Sequence, residues 1–145
     1  MLRALELARK GKTSPNPMVG AVLVKKGPII AEGFHAYAGG PHAEVVALKK
    51  AGNKAKGADL YVSLEPCCHM GRTPPCTDAI IQAGVTRVFA GMKDPNKLVQ
   101  GKGIRALKAA GIKVSYGLMK DDCEKLNEVF VKFMKTGLPF VSVKT

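Results

Sequence analysis

Apolar positions along this chain follow two periods, one near four residues and one of two. Leu2, Leu5 and Leu7 with Ala4 and Ala8 recur at helical spacing, and Gly11 ends that run. TSPNP at 13–17 is a turn cluster. MVGAVLVKKGPIIAEGFH (18–35) reads as two strands joined by a turn at Lys26 and Gly27. AGGP then breaks the chain before HAEVVALKKAG, a helix with Val45, Val46 and Leu48 on its apolar face. Pro41 suits its first turn and Gly52 its stop. ADLYVSL (58–64) is a largely apolar strand. CTDAIIQAG is a helix opened by Pro74 and Pro75 and closed by Gly84. VTRVFAGM predicts a strand, GIRALKAAG a short helix and IKVSYG another strand. Residues 119–136 predict a longer helix with Leu126, Val129, Phe130 and Phe133 on one side, and PFVSV a last strand.

Strands alternating with helices predict an α/β layered domain whose first two strands form an antiparallel hairpin. A chain of 145 residues with 46% hydrophobic content makes one ordinary domain with a sizeable core. No run approaches the roughly 18 apolar residues of a membrane span. MLRALELARKGK lacks the apolar centre of a secretory signal, so the cytoplasm is the expected compartment and no membrane partner is expected. The net charge of +12 fits an anionic partner, either nucleic acid or a phosphorylated small molecule. It also fits a plain solvated surface, and the lysines are scattered in ones and twos rather than blocked. With 6% aromatic residues, a base-stacking strip is poorly supplied, which weighs against nucleic acid.

Three of the four cysteines lie in SLEPCCHMGRTPPC (63–76), with His69 among them. In a cytoplasmic chain cysteines are more often metal ligands or catalytic groups than disulfides. Cys123 sits alone in a helical pattern and reads as a buried side chain. Three units stand out: PHAE opening one helix, EPCC closing a strand and PPC opening another helix. His42, Cys67 and Cys76 form an N/S/S set that suits zinc and leaves a fourth position for water, the form of a catalytic site. Free N–H groups at a helix start favour the thiolate of Cys76. Glu44, two residues after His42, can face the water and carry its proton without being a ligand.

Cys68 and His69 are rival ligands. Cys67 is favoured because it follows Pro66, as in the H-x-E…P-C-x-x-C pattern of zinc nucleobase deaminases. HAE and PC fit that pattern, but eight residues separate Cys67 from Cys76 where the pattern has two. Cys76 is favoured over His69 because it opens a helix after a loop long enough to turn back. A closed structural zinc with Cys68 or His69 as fourth ligand is the competing reading.

TSPNPMVGAVLV, EGFHAYAGGPHAEVVAL, LYVSLEPCCHMGRTPPCTDAII, and DPN followed by GKGI together resemble the pyrimidine deaminase domain of riboflavin biosynthesis, over about residues 2–144. GRTPPC is the most specific element. The resemblance implies a cytidine-deaminase-like three-layer α/β/α sandwich with a mixed central sheet. It implies one Zn2+ per chain and hydrolytic removal of an amino group, as ammonia, from 2,5-diamino-6-(5-phosphoribosylamino)pyrimidin-4(3H)-one. His42, Cys67 and Cys76 match the family's zinc ligands and Glu44 its proton shuttle. Asn16, His35, His69, Arg72, Asp94 and Asn96 match groups lining the substrate site, Arg72 on the ribose phosphate side. Cys68 stands where serine is often found and reads as packing or a backbone donor. GLPFVSVKT is similar to the start of the NADPH-dependent reductase that follows in many members. The expected division is therefore a deaminase domain at 1–138 and, at 139–145, the start of a reductase domain or a terminal strand. NADPH is expected only with a separate reductase domain or protein, and a homo-oligomer is expected from the family.

Overall fold

A computed structural model describes residues 1–144. The elements run α1 (Leu2–Ala8), β1 (Gly20–Val24), β2 (Ile29–Phe34), α2 (Ala43–Ala51), β3 (Asp59–Leu64), α3 (Cys76–Gln82), β4 (Arg87–Met92), α4 (Lys102–Ala109), β5 (Lys113–Tyr116), α5 (Lys120–Leu126) and α6 (Glu128–Thr136). They build one five-stranded mixed sheet in the order β2-β1-β3-β4-β5. β1 runs antiparallel to β2 and β3, while β3, β4 and β5 are parallel. The first two strands form the expected hairpin, with Lys26 and Gly27 both at positive φ in its turn.

Helices cover both faces, giving the α/β/α layering. α2, α3 and α4 lie side by side on one face; α1 and α5 pack on the other. This explains why β1 is apolar without alternation: Ala21 and Leu23 enter the main core, while Val22 packs with Ala4 and Leu7 of α1. Each fully buried leucine, among them Leu5, Leu23, Leu60 and Leu107, contributes on the order of 2 kcal/mol. The first turn of α2 sits directly on β2 because residue 33 is glycine. A Cβ there would lie 2.3 Å from the Ala43 carbonyl oxygen. That close approach places His42 and Glu44 at the end of the sheet.

Three expectations are corrected. Pro41 precedes the helix rather than sitting in its first turn; His42 is the N-cap and Ala43 the first helical residue. The stretch 119–136 is two helices, not one, because Asn127 leaves helical geometry at φ −110°, ψ 29°. Its buried amide turns instead to Met18, Oδ1 accepting that residue's N–H and Nδ2 donating to its carbonyl, each at 2.8 Å. PFVSV pairs with no strand among the described residues. Gly137 at φ 69° turns the chain after α6, and Val141 and Val143 are exposed. An apolar run without a sheet edge beside it has no ladder to join.

Asn127→Ala strips both partners from the Met18 backbone and should cost about 2 kcal/mol. Urea unfolding is the check; a change below about 0.5 kcal/mol would contradict this role.

Candidate active site

Four segments meet at one end of the sheet: the loop into β1, and the chain leaving β2, β3 and β4. This is the carboxyl end of the parallel strands, where open α/β sheets form their ligand crevices. His42 caps α2 in extended geometry, and Glu44 follows in the first turn. Cys67 lies just beyond β3. Cys76 is the first residue of α3, with Pro75 as its N-cap.

The His42 Nδ1 lies 3.1 Å from the Cys76 Sγ and 3.6 Å from the Cys67 Sγ. All three donor atoms fall within 4.8 Å of one another. The Cys76 N–H donates to the Cys67 sulfur at 3.3 Å, and the Thr77 N–H to the Cys67 carbonyl at 3.1 Å. The helix start therefore fixes both sulfurs. Zinc bonds of about 2.0 Å to nitrogen and 2.3 Å to sulfur put tetrahedral donors about 3.5–3.8 Å apart. The donor set fits such an ion in chemistry; the His42–Cys67 separation falls within this spacing, and the 3.1 Å between His42 and Cys76 would open by about 0.4 Å. Cys68 is half-buried and His69 exposed, and neither belongs to this group.

Crowding perturbs Cys67, Cys76, His42 and Glu44. The hydrogen bond from Cys76 brings the Cys67 thiol down to about 4, with His42 helping. The pairing with Cys67, with burial, drives the Cys76 thiol upward. His42 is raised, chiefly by its hydrogen bond to Cys67. Burial pushes the Glu44 carboxyl to about 7. A cation bound among these sulfurs would displace thiol protons.

A cavity of about 290 Å³ opens over these groups, with His42, Glu44 and Cys67 in its wall. An adjoining cavity of about 440 Å³ extends between the 38–40 and 69–73 loops. Asn16, His35 and His69 border both. His35 is buried, its Nδ1 3.0 Å from the Pro41 carbonyl oxygen and its ring edge-on to His42. Because a carbonyl only accepts, Nδ1 carries the hydrogen, and in the neutral ring Nε2 is an acceptor. Arg72 is exposed and borders only the second cavity, close over Gly39.

Asp94 and Asn96 line the first cavity, but their side-chain oxygens also turn the loop. Asp94 Oδ1 accepts the Asn96 N–H at 2.8 Å, and Asn96 Oδ1 accepts the Leu98 N–H at 3.0 Å. Burial raises the Asp94 carboxyl. Two further sets of residues join the site that the sequence did not place there. Phe130 and Met134 of α6 form an apolar wall of the cavity. Glu65 lies buried beneath it. An acid between Leu64 and Pro66 at the end of an apolar strand was the one signal available for it.

Residues 1–92 match the model of the cytidine and deoxycytidylate deaminase zinc-binding region. The riboflavin biosynthesis protein RibD of Escherichia coli is 58% identical over 99% of this chain and 40% of its own length. A solved structure of Acinetobacter baumannii RibD superposes with a TM-score of 0.94 at 53% identity, covering 96% of this chain and 40% of that one. The Thermotoga maritima diaminohydroxyphosphoribosylaminopyrimidine deaminase/5-amino-6-(5-phosphoribosylamino)uracil reductase gives 0.91 at 50% identity, covering 97% and 41%. The chain thus spans about 40% of the length of the curated relatives it matches.

The Glu44 environment makes a pH prediction for metal-free protein. Its carboxyl ionises near 4.5 when unfolded and near 7 when folded. Between those values the folded state keeps a proton that the unfolded state releases, so stability falls as pH rises and levels off above 7. Glu44→Gln should therefore be more stable than the parent at pH 8, by up to about 3 kcal/mol, with the gain gone by about pH 4. Denaturant titrations across pH on chelator-treated protein measure this. A pH-independent difference would contradict it.

Proposed function

The chain belongs to the cytidine and deoxycytidylate deaminase zinc-binding family, and from that premise we propose that it deaminates 2,5-diamino-6-(5-phosphoribosylamino)pyrimidin-4(3H)-one to 5-amino-6-(5-phosphoribosylamino)uracil and ammonia. The observation that carries this reading is the N/S/S donor set sharing one cavity with a buried carboxyl. The likeness to the Thermotoga diaminohydroxyphosphoribosylaminopyrimidine deaminase/reductase supports the choice of substrate.

On this reading His42, Cys67 and Cys76 would hold one zinc, which when bound would supply Lewis-acid chemistry. Glu44 would take a proton from the attacking water and deliver it to the ring nitrogen, then carry the remaining hydroxyl proton to the amino group, which leaves as ammonia as the ring carbonyl forms. A carboxyl drawn toward neutral pH by burial suits both acceptance and delivery. Asn16 offers an amide that both donates and accepts to the pyrimidine edge. His35, with Nδ1–H tied to Pro41, presents Nε2 as an acceptor. His69 borders the passage between the cavities. Arg72, over the second cavity, suits the phosphate with its guanidinium fork. Asp94 and Asn96 face the ribose side. Phe130 and Met134 exclude water from the apolar wall.

Residues 1–138 constitute the deaminase domain in this proposal. A reductase domain or protein using NADPH would take the product, and a second copy of the chain is the other expected partner. No nicotinamide site is assigned to this chain. Among the described residues no helix is long and apolar enough to cross a membrane, and the cytoplasm is the proposed compartment.

Ammonia release from the diamino substrate by the zinc-loaded chain tests the reading; no release at any zinc loading would refute it. Glu44→Gln should retain one zinc and lose about 10²–10⁴-fold in kcat. Cys76→Ser should lose its zinc while Cys68→Ser keeps it, as metal analysis after dialysis would show; the reverse pattern would overturn the ligand set.

A further inference from the structure

Glu65 is buried, and its carboxylate is filled by backbone. Oε2 accepts the N–H groups of Asp94 at 3.0 Å and Gly101 at 2.9 Å. Oε1 accepts those of Gly103 at 3.0 Å and Ile104 at 3.3 Å. An ionised carboxylate has about four acceptor sites, so this one is fully used. Its partners lie 29 to 39 residues further along the chain, so no local motif links them.

Two consequences follow from the places of those partners. Gly103 and Ile104 are the second and third residues of α4, whose N-cap, Gly101, has no side chain to cap it. Glu65 serves as that cap from the end of β3, satisfying N–H groups that a helix start leaves free. The contact is tight. A Cβ on Gly103 would come within 2.0 Å of the Pro66 carbonyl oxygen. The other pair, Asp94 and Gly101, brackets the loop that carries Asp94, Asn96 and Val99 to the cavity wall. Glu65 is also two residues from Cys67. One rigid carboxylate therefore ties the segment bearing a metal donor to the loop bearing the ribose-side groups.

We propose that Glu65 is a positioning residue that sets the 94–101 loop against the Cys67 segment and so fixes where the sugar phosphate end of the substrate sits. It touches none of the reacting atoms. This assignment rests on the deaminase reading above, so the experiment separates the two. In Glu65→Gln one oxygen becomes an NH2 group, which faces N–H donors and loses two of the four hydrogen bonds. The zinc-loaded variant should keep its zinc and a kcat within about 3-fold, while KM for the diamino substrate rises at least about 10-fold. Amide hydrogen exchange at Asp94 and Gly101, or at Gly103 and Ile104, should quicken at least about 10-fold, with β1 and β3 amides unmoved. An unchanged KM with unchanged exchange overturns the proposal. So does loss of zinc with uniformly faster exchange, the mark of a purely structural role.

Should Glu65→Gln fail to fold, Glu65→Asp keeps the charge on a shorter stem and is judged by the same measurements. The unmodified protein gives an independent check. Its four amides should exchange slowly although two of them, Asp94 and Gly101, bracket a loop, and fast exchange there overturns the proposal. If the unmodified chain releases no ammonia, the deaminase reading fails, while amide exchange still decides the loop-positioning role of Glu65.

Discussion

One imidazole nitrogen and two sulfurs are kept within 4.8 Å of one another, and the end of the sheet is built around that constraint. Without a cation the arrangement is unfavourable. Two thiols are crowded together, a carboxyl is buried beside them, and each group displaces the ionisation of its neighbours. Such crowding persists only where backbone over-determines it. Here it does: His42 is an N-cap, Cys76 a first helical residue, and Cys67 accepts a backbone N–H from that same helix. A bound zinc would turn a strained group into a satisfied one, so metal binding and local folding are linked.

The mixed topology serves the same end. Because β1 runs against both neighbours, its incoming loop meets the outgoing ends of β2 and β3 at one edge of the sheet. That brings Asn16, His35 and Cys67 to the same cavities from distant parts of the chain. Helices on both faces then supply what the strands cannot: capped termini on one side, and on the other the Asn127 break that sends α6 out to wall the cavity with Phe130 and Met134.

Much of this was legible in the chain because it is local. The hairpin follows from two apolar runs joined by a turn at Lys26 and Gly27, and the helices from proline before and glycine after. The donor set followed from residue type, order and the helix starts beside it. What could not be read depends on partners far away. Asn127 resembles any polar residue on a helix until its amide meets Met18, 109 residues earlier. Glu65 resembles a charged residue at a strand end until four amides, two bracketing the 94–101 loop and two in the first turn of α4, fill its oxygens. PFVSV has strand-forming residues but no neighbouring edge to pair with. Asp94 and Asn96 were expected as substrate groups, and they border the cavity, yet they are also the turn-formers that a bare DPN tripeptide suggests.

The most direct measurement is the X-ray absorption spectrum at the zinc edge of the purified, zinc-loaded chain. Two sulfurs at about 2.3 Å and two lighter atoms at about 2.0 Å agree with Cys67, Cys76, His42 and one exchangeable position. A shell of three sulfurs, with Cys68 recruited to close the site, would contradict it.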